Sequence, residues 1–520
     1  MSYSDLLHSL GLTLDPFAKT NADEEDLLKS YFIEPPFFKA VYGDLATPKS
    51  AVVFAPRGGG KTALKRMLEL SSLTEPFMCI TYNRFAVSNL RLKDIDLDYH
   101  LRSIVRLLLV AVLSSVAERG IQSFTNDDRH LIYIFTKEYL SEIDSTELKL
   151  AIQSVQNLSD KAKEWWNNFT GPIGLILNSL LHRIGLGAAE IEKFRVSSGH
   201  LGQKIGQLEV LASLAIKLGY QCIYVLVDRV DETALTSNKG SNSFEFISPL
   251  VLDLQLLELK GFGFKFFLWD LLMDEYRSAA RPDRVKYYNL HWEVPQLRQM
   301  LSKRLLAHST DHVGSLGSIS APEVRHELDN AVALFSQGSP RNIIRICKEI
   351  LDQQSEMDSS ARELSVAAIV KGFDVFAKNY ANELFEDNII RDLQKMRRAD
   401  FTVKNVYTDV FRFTQQAGMT KVRSWQDAGV VEQIGAIQET QGVRSSNHYG
   451  VSNLLVLKYM FPELSVFELM NRKIRTCQCG RVMVRDWDRK PEHSCESCQL
   501  VVKAAIAVSS HESSNTPKSE

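Results

Sequence analysis

The chain has 520 residues, of which 45% are hydrophobic and 24% are charged. This composition is typical of a soluble globular protein, and the length exceeds one ordinary core, so we expect about two to four domains. Lys and Arg number 61 against 63 for Asp and Glu, and this net charge of −2 excludes a general attraction to nucleic acid or anionic membrane. Any such contact must come from a local patch.

The N-terminal residues, MSYSDLLHSLG, lack a basic region followed by a long apolar stretch, so we expect no secretory signal. The most apolar segment, which begins at Ile104, has only about ten uninterrupted apolar residues, whereas a membrane span needs about 20. We therefore expect a cytoplasmic protein with no membrane partner. Residues 1–50 are interpreted as an N-terminal helical collar.

Residues 51–62, AVVFAPRGGGKT, form an apolar run that stops at a Gly-rich loop. The residues expected to surround a bound phosphate chain are Ala55, Pro56, Arg57, Gly58, Gly59, Gly60, Lys61 and Thr62. Glycines let backbone N–H groups close around an anion, Lys61 neutralises the terminal phosphates, and the Thr62 hydroxyl binds Mg²⁺. The usual pattern, G-x-x-x-x-G-K-[ST], has glycine where Ala55 stands. The alternative is an ordinary loop before a helix, but the flanking strand and helix patterns favour the phosphate site.

Five strand-like runs alternate with helical patterns, and this predicts an α/β core with a parallel sheet over residues 51–292. The runs are 51–54, 77–82, 222–227, 264–269 and 285–290. Residues 88–205 have almost no strand pattern and are interpreted as a large helical insertion. Its apolar piece from Gly171 either packs against its own domain or offers a surface to a partner or a membrane.

The segment CIYVLVDRVDET, residues 222–233, is an apolar strand followed by three acids. Asp228 stands at the strand tip, which we expect beside the strand of the Gly-rich loop, where its carboxylate can hold Mg²⁺. Asp231 and Glu232 follow, and either can polarise an attacking water. The alternative is a buried strand capped by a solvated acidic turn.

Together these motifs resemble the AAA+ and STAND group of P-loop ATPases, and VDRVDE is similar to the D-x-h-D-E form of NACHT-type and KAP-type members. The resemblance implies ATP and Mg²⁺ as cofactors, with catalysis by Lys61 and a carboxylate. Most AAA+ proteins place that acid directly after the Mg²⁺ aspartate, where this chain has Arg229. Asp231 or Glu232 would take its role, and the sequence does not decide between them.

The resemblance covers roughly residues 30–355 and looks closest to uncharacterised bacterial ATPases. It implies a polar sensor at Asp270, after the strand KFFLWD, and a helical lid over residues 293–395. Arg341 in GSPRNIIRIC would reach the γ-phosphate from this lid, or it is a surface arginine at a helix start. Three more arginines would act in trans on the nucleotide of a neighbouring copy, or are simply solvated. They are Arg277, Arg281 and Arg284.

Residues 396–465 show two short helical patterns and then two extended pieces around the turn GVRSSN, which is the order of a winged helix. Residues 470–505 are interpreted as a zinc-ribbon-like module. Its candidate ligands for structural Zn²⁺ are Cys477, Cys479, Cys495 and Cys498. His493 could replace one thiol, and a redox-active or abandoned cluster is the alternative. Residues 506–520 are polar and predicted to be disordered.

Both C-terminal modules are of a kind that often binds nucleic acid, and the local sequence is basic. Lys421 and Arg423 would lie on the reading helix of the winged helix, and Arg444 on its wing. The alternative is that the winged helix serves as a protein-packing element of a switch.

The sequence therefore predicts an ATP-binding and ATP-hydrolysing molecular switch that forms a homo-oligomer or binds a protein partner. Its implied role in bacterial signalling, stress response or phage defence comes from the resemblance alone. The alternative function is an ATP-sensing, DNA-binding regulator without significant turnover. A small-molecule kinase is disfavoured, because the lid and the C-terminal modules have no place in that scheme.

Overall fold

A computed structural model describes residues 2–140, 143, 145–155, 160–167, 204–310, 312–437 and 445–503. The chain divides into two compact units. We call Asn21–Trp292 the sheet unit, and Met1–Thr20 together with Glu293–Glu520 the helical unit. Residues 1–50, predicted as one collar, are divided between the two.

The sheet unit is built on one parallel sheet whose strand order is β2-β3-β4-β1-β5. The strands are β1 (Ala51–Ala55), β2 (Phe77–Tyr82), β3 (Cys222–Val227), β4 (Phe262–Trp269) and β5 (Lys286–Asn289). The first three are buried along their whole length, as continuous apolar runs predict for strands covered on both faces. The α/β fold class is confirmed.

One detail of the prediction is wrong. β4 lies between β3 and β1, so the strand that ends before Asp228 is not adjacent to the strand of the Gly-rich loop. All five strands run in the same direction, however, and their carboxyl ends meet at one edge of the sheet. Asp228 and the loop therefore still lie close together.

Helices cover the sheet and account for the regular structure in the described part of the insertion, residues 88–205. The α-helices of the sheet unit are Leu28–Tyr31, Phe38–Tyr42, Lys61–Ser71, Leu97–Arg119, Asn126–Leu140, Ser145–Gln153, Asp160–Asn167, Lys204–Lys217, Gly240–Val251, Leu254–Leu257 and Met273–Ala279. The apolar piece that begins at Gly171 lies outside the described residues.

Helix Leu97–Arg119 has 23 residues, and an 18-residue window within it has a mean hydropathy of 1.6. It is the one helix in the described residues that is long and apolar enough to cross a membrane. The expectation that this segment is too short was therefore wrong. However, 83% of its apolar window is buried. Leu108 and Val112 belong to the same core as Val225 of β3 and Phe264 of β4, so packing inside the sheet unit explains the apolar composition.

The helical unit contains nine described α-helices. They are Tyr3–Ser9, Val294–Ala307, Leu328–Phe335, Pro340–Met357, Val366–Leu384, Asp387–Met396, Gln415–Asp427, Leu454–Met460 and Val466–Lys473. The sequence explains the start of the fourth, because the Ser339 side chain accepts a hydrogen bond from the Asn342 N–H and Pro340 occupies the first turn. This helix packs closely against the fifth at Gly372, where an added Cβ would lie 2.8 Å from the Ile350 Cα.

Small antiparallel sheets follow in the C-terminal part of the helical unit. β6 (Asp400–Thr402), β7 (Val431–Ile437) and β8 (Ser446–Val451) form one sheet in the order β6-β8-β7. A π-helical segment at Asn405–Val410 and helix Gln415–Asp427 precede the β7–β8 hairpin, and the assignment of this region as a winged helix stays a prediction. Two hairpins come last: β9 (Ile474–Thr476) with β10 (Val482–Val484), and β11 (Glu492–Ser494) with β12 (Val501–Lys503). The predicted disordered tail lies outside the described residues.

The close approach at Gly372 predicts that replacing this glycine with alanine destabilises the protein, which is the opposite of what helix propensity predicts. Helix propensity alone would make Gly372→Ala stabilising by about 1 kcal/mol. Because the new methyl group meets the Ile350 backbone, we expect a loss of about 1–3 kcal/mol instead. Hydrogen exchange of helix Val366–Leu384 measures the change, with the exposed Lys371→Ala as control. Slower exchange in Gly372→Ala would contradict the packing.

Candidate functional site

The Gly-rich loop connects β1 to helix Lys61–Ser71, which we call the loop helix. Gly58 and Gly60 have φ angles of 74° and 96°, in the left-handed region that favours glycine. An added Cβ at Gly59 would lie 2.9 Å from the Pro56 carbonyl oxygen. The indole Nε1 of Trp292 donates a hydrogen bond to the Gly59 carbonyl at 2.8 Å. This contact stabilises the loop, and the sequence did not predict it. The backbone is thus shaped for close approach of an anion.

Lys61 is the first residue of the loop helix, and its ammonium group turns back over the loop. Nζ donates to the carbonyl oxygens of Ala55 at 2.8 Å and Pro56 at 3.1 Å. Burial lowers the pKa of Lys61, while the carboxylates of Asp231, Asp228 and Asp270 act to raise it. Lys61 is therefore a partly buried cation near three acids at the edge of the sheet, and its contact with phosphates stays a prediction.

Thr62 and Asp228 meet across the sheet edge, although 166 positions separate them in the chain. The Thr62 hydroxyl donates to Asp228 Oδ2 at 3.2 Å. Burial raises the pKa of Asp228, and the charges of Lys65 and Lys61 together with the Arg229 N–H lower it. A hydroxyl and a carboxylate side by side are oxygen ligands of the kind Mg²⁺ prefers, so this pair fits the ion.

The two candidate catalytic acids have different surroundings. Asp231 is buried and accepts hydrogen bonds at Oδ2 from Arg57 Nε at 3.1 Å and Nη2 at 2.8 Å. The Glu232 side chain is 61% exposed, and its Oε2 lies 4.0 Å from Arg229 Nε. Of these two acids, it is Asp231 that contacts the Gly-rich loop. The geometry favours Asp231 over Glu232, and its catalytic role stays a prediction.

The other two residues predicted to lie near the phosphates, Asp270 and Arg341, belong to different units of the chain. Asp270 is half-buried directly after β4, where burial raises its pKa and Lys61 lowers it. Arg341 is exposed at the start of helix Pro340–Met357 in the helical unit, and its contact with a γ-phosphate stays a prediction.

The three arginines proposed to act in trans have partners within the sheet unit. Arg281 pairs with Asp283 at 3.0 Å, and Arg284 pairs with Glu258. The Arg277 guanidinium carbon lies 5.9 Å from the ring centroid of Tyr287. These contacts favour the simpler interpretation, in which the arginines make local surface contacts. A role in trans stays a prediction.

Sequence reasoning missed a buried ionic network beneath the loop helix. Lys65 is only 2% exposed, and its Nζ lies 2.8 Å from Asp23 Oδ1 and 3.1 Å from Glu69 Oε1. Asp23 Oδ2 also pairs with Arg229 at 2.7 Å. The i, i+4 spacing of Lys65 and Glu69 could have revealed their pairing. Nothing in the sequence around Asp23 pointed to the third partner, which lies far from the other members in the chain.

Four thiols of the helical unit form a compact group. The Sγ atoms of Cys477 and Cys498 are 3.5 Å apart, those of Cys479 and Cys495 are 3.6 Å apart, and all four lie within 4.8 Å of one another. A tetrahedral ZnS₄ site requires Sγ separations of about 3.8 Å. The donor set therefore fits Zn²⁺. His493 lies outside this group and packs its ring edge to face with Trp487 at 5.0 Å, so the geometry does not favour it as a replacement ligand.

Protonation of the thiols follows their local hydrogen bonds. Burial acts to raise the pKa of Cys495, but hydrogen bonds from the N–H groups of Cys498 and Ser497 and from the other thiols lower it. The Leu500 N–H acts to lower the pKa of Cys498, but burial and hydrogen bonds with the other three thiols raise it. The group thus favours ionisation at Cys495 rather than at Cys498. A cysteine that ionises readily is suited to metal binding, because the thiolate is the ligand form.

The basic residues of the two C-terminal modules are largely paired within the helical unit. The pairs are Arg472–Asp488, Lys473–Asp486, Arg481–Glu432, Arg485–Glu496 and Lys421–Asp392. Arg423, Arg489 and Lys490 are exposed, and Arg444 lies outside the described residues. Internal pairing neutralises much of the patch and weakens the case for nucleic-acid binding.

No protein-family model matches the sequence, and no curated protein matches it. Among solved structures, the chain is similar to the ORC1 protein of Aeropyrum pernix in complex with DNA, with 12% identity, a TM-score of 0.35 and coverage of 87% of this chain and 98% of that one.

Two further structures show the same degree of similarity. Cdc6p from Pyrobaculum aerophilum has 11% identity, a TM-score of 0.30 and coverage of 89% and 99%. The ORC2 protein of Aeropyrum pernix in ADPNP-ADP complexes has 10% identity, a TM-score of 0.36 and coverage of 85% and 98%. Values this low carry no argument about fold or function, which rest on this chain's own strand order and loop geometry.

The ionic network predicts a cost for removing Glu69, whose carboxylate also accepts a hydrogen bond from Thr81 at 2.6 Å. Glu69→Ala leaves the buried Lys65 with one carboxylate fewer, and we expect a loss of about 3 kcal/mol in the sheet unit. Hydrogen exchange of the loop helix and β2 measures the loss. The exposed Glu75→Ala is the control, and we expect a change within about 0.5 kcal/mol there. Equal protection in the two variants would contradict the network's role.

Proposed function

We propose that the sheet unit binds ATP with Mg²⁺ at the Gly-rich loop and hydrolyses it. The observation that carries this proposal is the contact between the Thr62 hydroxyl and the Asp228 carboxylate. One residue follows a glycine loop, the other follows a buried strand, and both stand at the same sheet edge. This is the pairing that phosphoryl-transfer sites of the P-loop class use to hold the metal beside the phosphates.

Binding would use the backbone first. N–H groups of the loop and of the first turn of the loop helix would donate to phosphate oxygens, and the helix N-terminus would add a favourable dipole. Lys61 would exchange the carbonyls of Ala55 and Pro56 for phosphate oxygens. Thr62 and Asp228 would hold Mg²⁺, which neutralises charge on the β- and γ-phosphates when it is bound.

Hydrolysis would use Asp231 as the general base. Its carboxylate accepts a proton from a water whose oxygen attacks the γ-phosphorus, and the bond from that phosphorus to the β–γ bridging oxygen breaks. ADP and inorganic phosphate are the products, and the proton passes from Asp231 to solvent. Asp270, at the end of β4, would be the polar sensor near the γ-phosphate that the resemblance implies.

The biological use of this turnover is a further step of the proposal. An ATP-driven switch of the AAA+ or STAND type would couple the site to the helical unit, with Arg341 in the lid. Homo-oligomerisation, a protein partner and a role in bacterial signalling, stress response or phage defence are predictions from the resemblance.

Four substitutions test the ATPase. We expect both Lys61→Ala and Asp228→Asn to weaken Mg-ATP binding by more than about tenfold. The first removes the cation that would face the phosphates, and the second removes the carboxylate that would hold Mg²⁺. Asp231→Asn should retain ATP affinity while kcat falls by about 10²–10⁴-fold. Glu232→Gln is the matched control, since its side chain is exposed, and should stay within about threefold of the wild type. Calorimetry and phosphate release provide the measurements.

Three results would count against the proposal. If the wild-type chain does not bind ATP, the proposed function is wrong. If Glu232→Gln loses turnover and Asp231→Asn keeps it, the assignment of the base is reversed. Tight ATP binding without turnover, together with salt-sensitive DNA binding, would favour the alternative regulator.

We also propose that the four thiols hold one structural Zn²⁺. The module around them is too small to own a large core, and the metal would tie the β9–β10 hairpin to the β11–β12 hairpin. A closed set of four thiolates leaves no position for substrate, so a catalytic role is not proposed.

Metal analysis of the purified chain tests the zinc site. We expect about one zinc per wild-type chain and loss of most of it in Cys477→Ser and Cys495→Ser, since three thiolates bind more weakly. Cys347→Ala, which removes a buried thiol elsewhere in the helical unit, should retain the metal. Wild-type protein free of zinc, or cysteine variants that keep it, would be the contrary result.

A further inference from the structure

Arg57, in the middle of the Gly-rich loop, contacts three different elements of the sheet unit. Its Nε and Nη2 donate to Asp231 Oδ2, and Nη2 also donates to Asn238 Oδ1 at 2.6 Å. The guanidinium carbon lies 4.3 Å from the ring centroid of Trp269, the last residue of β4. The loop is thus tied to the turn after β3, to the loop before helix Gly240–Val251 and to the end of β4.

Arg57 contacts one of the two carboxylate oxygens of Asp231. Both donors of Arg57 meet Oδ2, so Oδ1 is the oxygen that the pair leaves for other use. The carboxylate is mostly buried, with a side-chain exposure of 11%, and two hydrogen bonds from Arg57 hold its Oδ2. A carboxylate held through one oxygen can present the other in a fixed direction.

These contacts require arginine in particular. Two donors of one planar guanidinium reach Asp231, while the face of the same group lies on the Trp269 ring. A lysine ammonium is a point charge without this plane, so it can satisfy the charge but not both contacts. The position therefore carries an orientation requirement in addition to a charge requirement.

We infer that Arg57 is a positioning residue for Asp231, which it holds so that Oδ1 faces the water that attacks the γ-phosphate. This inference rests on the proposed ATP hydrolysis and deepens it. Arg57 transfers no proton and contacts no reacting atom. Its effect passes through the carboxylate, so it exists only while Asp231 is present to be oriented.

Two other roles would give different kinetics. If Arg57 bound the phosphates directly, its loss would weaken ATP binding and raise KM. If the ion pair instead kept Asp231 from acting as a base, its removal would increase turnover. Positioning alone predicts a fall in kcat with KM nearly unchanged, because the interaction matters only in the transition state.

A double-mutant cycle separates these cases. We compare Arg57→Gln, Arg57→Lys, Asp231→Asn and the double variant Arg57→Gln/Asp231→Asn in full-length protein, with Mg-ATP in single-turnover and steady-state assays. We expect Arg57→Gln to lower kcat by about 10–100-fold with KM within about threefold, and Arg57→Lys to restore only part of the loss. In the Asp231→Asn background, Arg57→Gln should change the rate by less than about twofold.

The control is Arg91→Gln, which removes an exposed arginine that pairs with Asp94 at 3.2 Å. It should leave kcat and KM unchanged. Retained ATP binding shows that the Arg57 variants are folded. If Arg57→Gln does not fold, the same kcat and KM comparison is made with Arg57→Lys.

Each contrary result overturns the inference. A raised KM with unchanged kcat assigns Arg57 to the phosphates, and a raised kcat makes the ion pair inhibitory. A loss of equal size with and without the Asp231 carboxylate shows that Arg57 acts independently. Wild-type protein that binds ATP without hydrolysing it removes the proposed hydrolysis and this inference together, whereas the other results leave hydrolysis intact.

Discussion

The site depends on one constraint, which is that parallel strands end at the same edge of their sheet. β1 and β3 are not neighbours, yet the loop after one and the acid after the other are in hydrogen-bond contact through Thr62 and Asp228. If β3 were reversed, Asp228 would stand at the opposite edge. The buried apolar strands keep this register, because a slip would move charged residues into the core.

The sequence revealed the elements whose chemistry is local. All five core strands were found from their apolar runs, and the loop and its Lys61 and Thr62 followed from glycine spacing. The four cysteines were found for the same reason, since close pairs along the chain stay close in space. The extent of helix Leu97–Arg119 was underestimated, because two arginines interrupt its apolar run without ending a helix that buries its other faces.

The contacts that join distant segments were not predictable in this way. Strand order cannot be read from five similar apolar runs, so β4 was not expected between β3 and β1. The different surroundings of Asp231 and Glu232 depend on the turn after β3, which buries one side chain and exposes the other. Arg57 and Trp292 also gave no pattern, since single residues far apart carry no spacing that indicates contact.

The contacts of Asp23 affect where the sheet unit begins. Although β1 starts at Ala51, the carboxylate of Asp23 pairs both with Lys65 beneath the Gly-rich loop and with Arg229 directly after Asp228. A fragment cut at the first strand would leave a buried ammonium group without one of its counter-ions. A version of this unit that keeps the ion pair must therefore include residues some thirty positions before its first strand, in a segment that carries no recognisable motif.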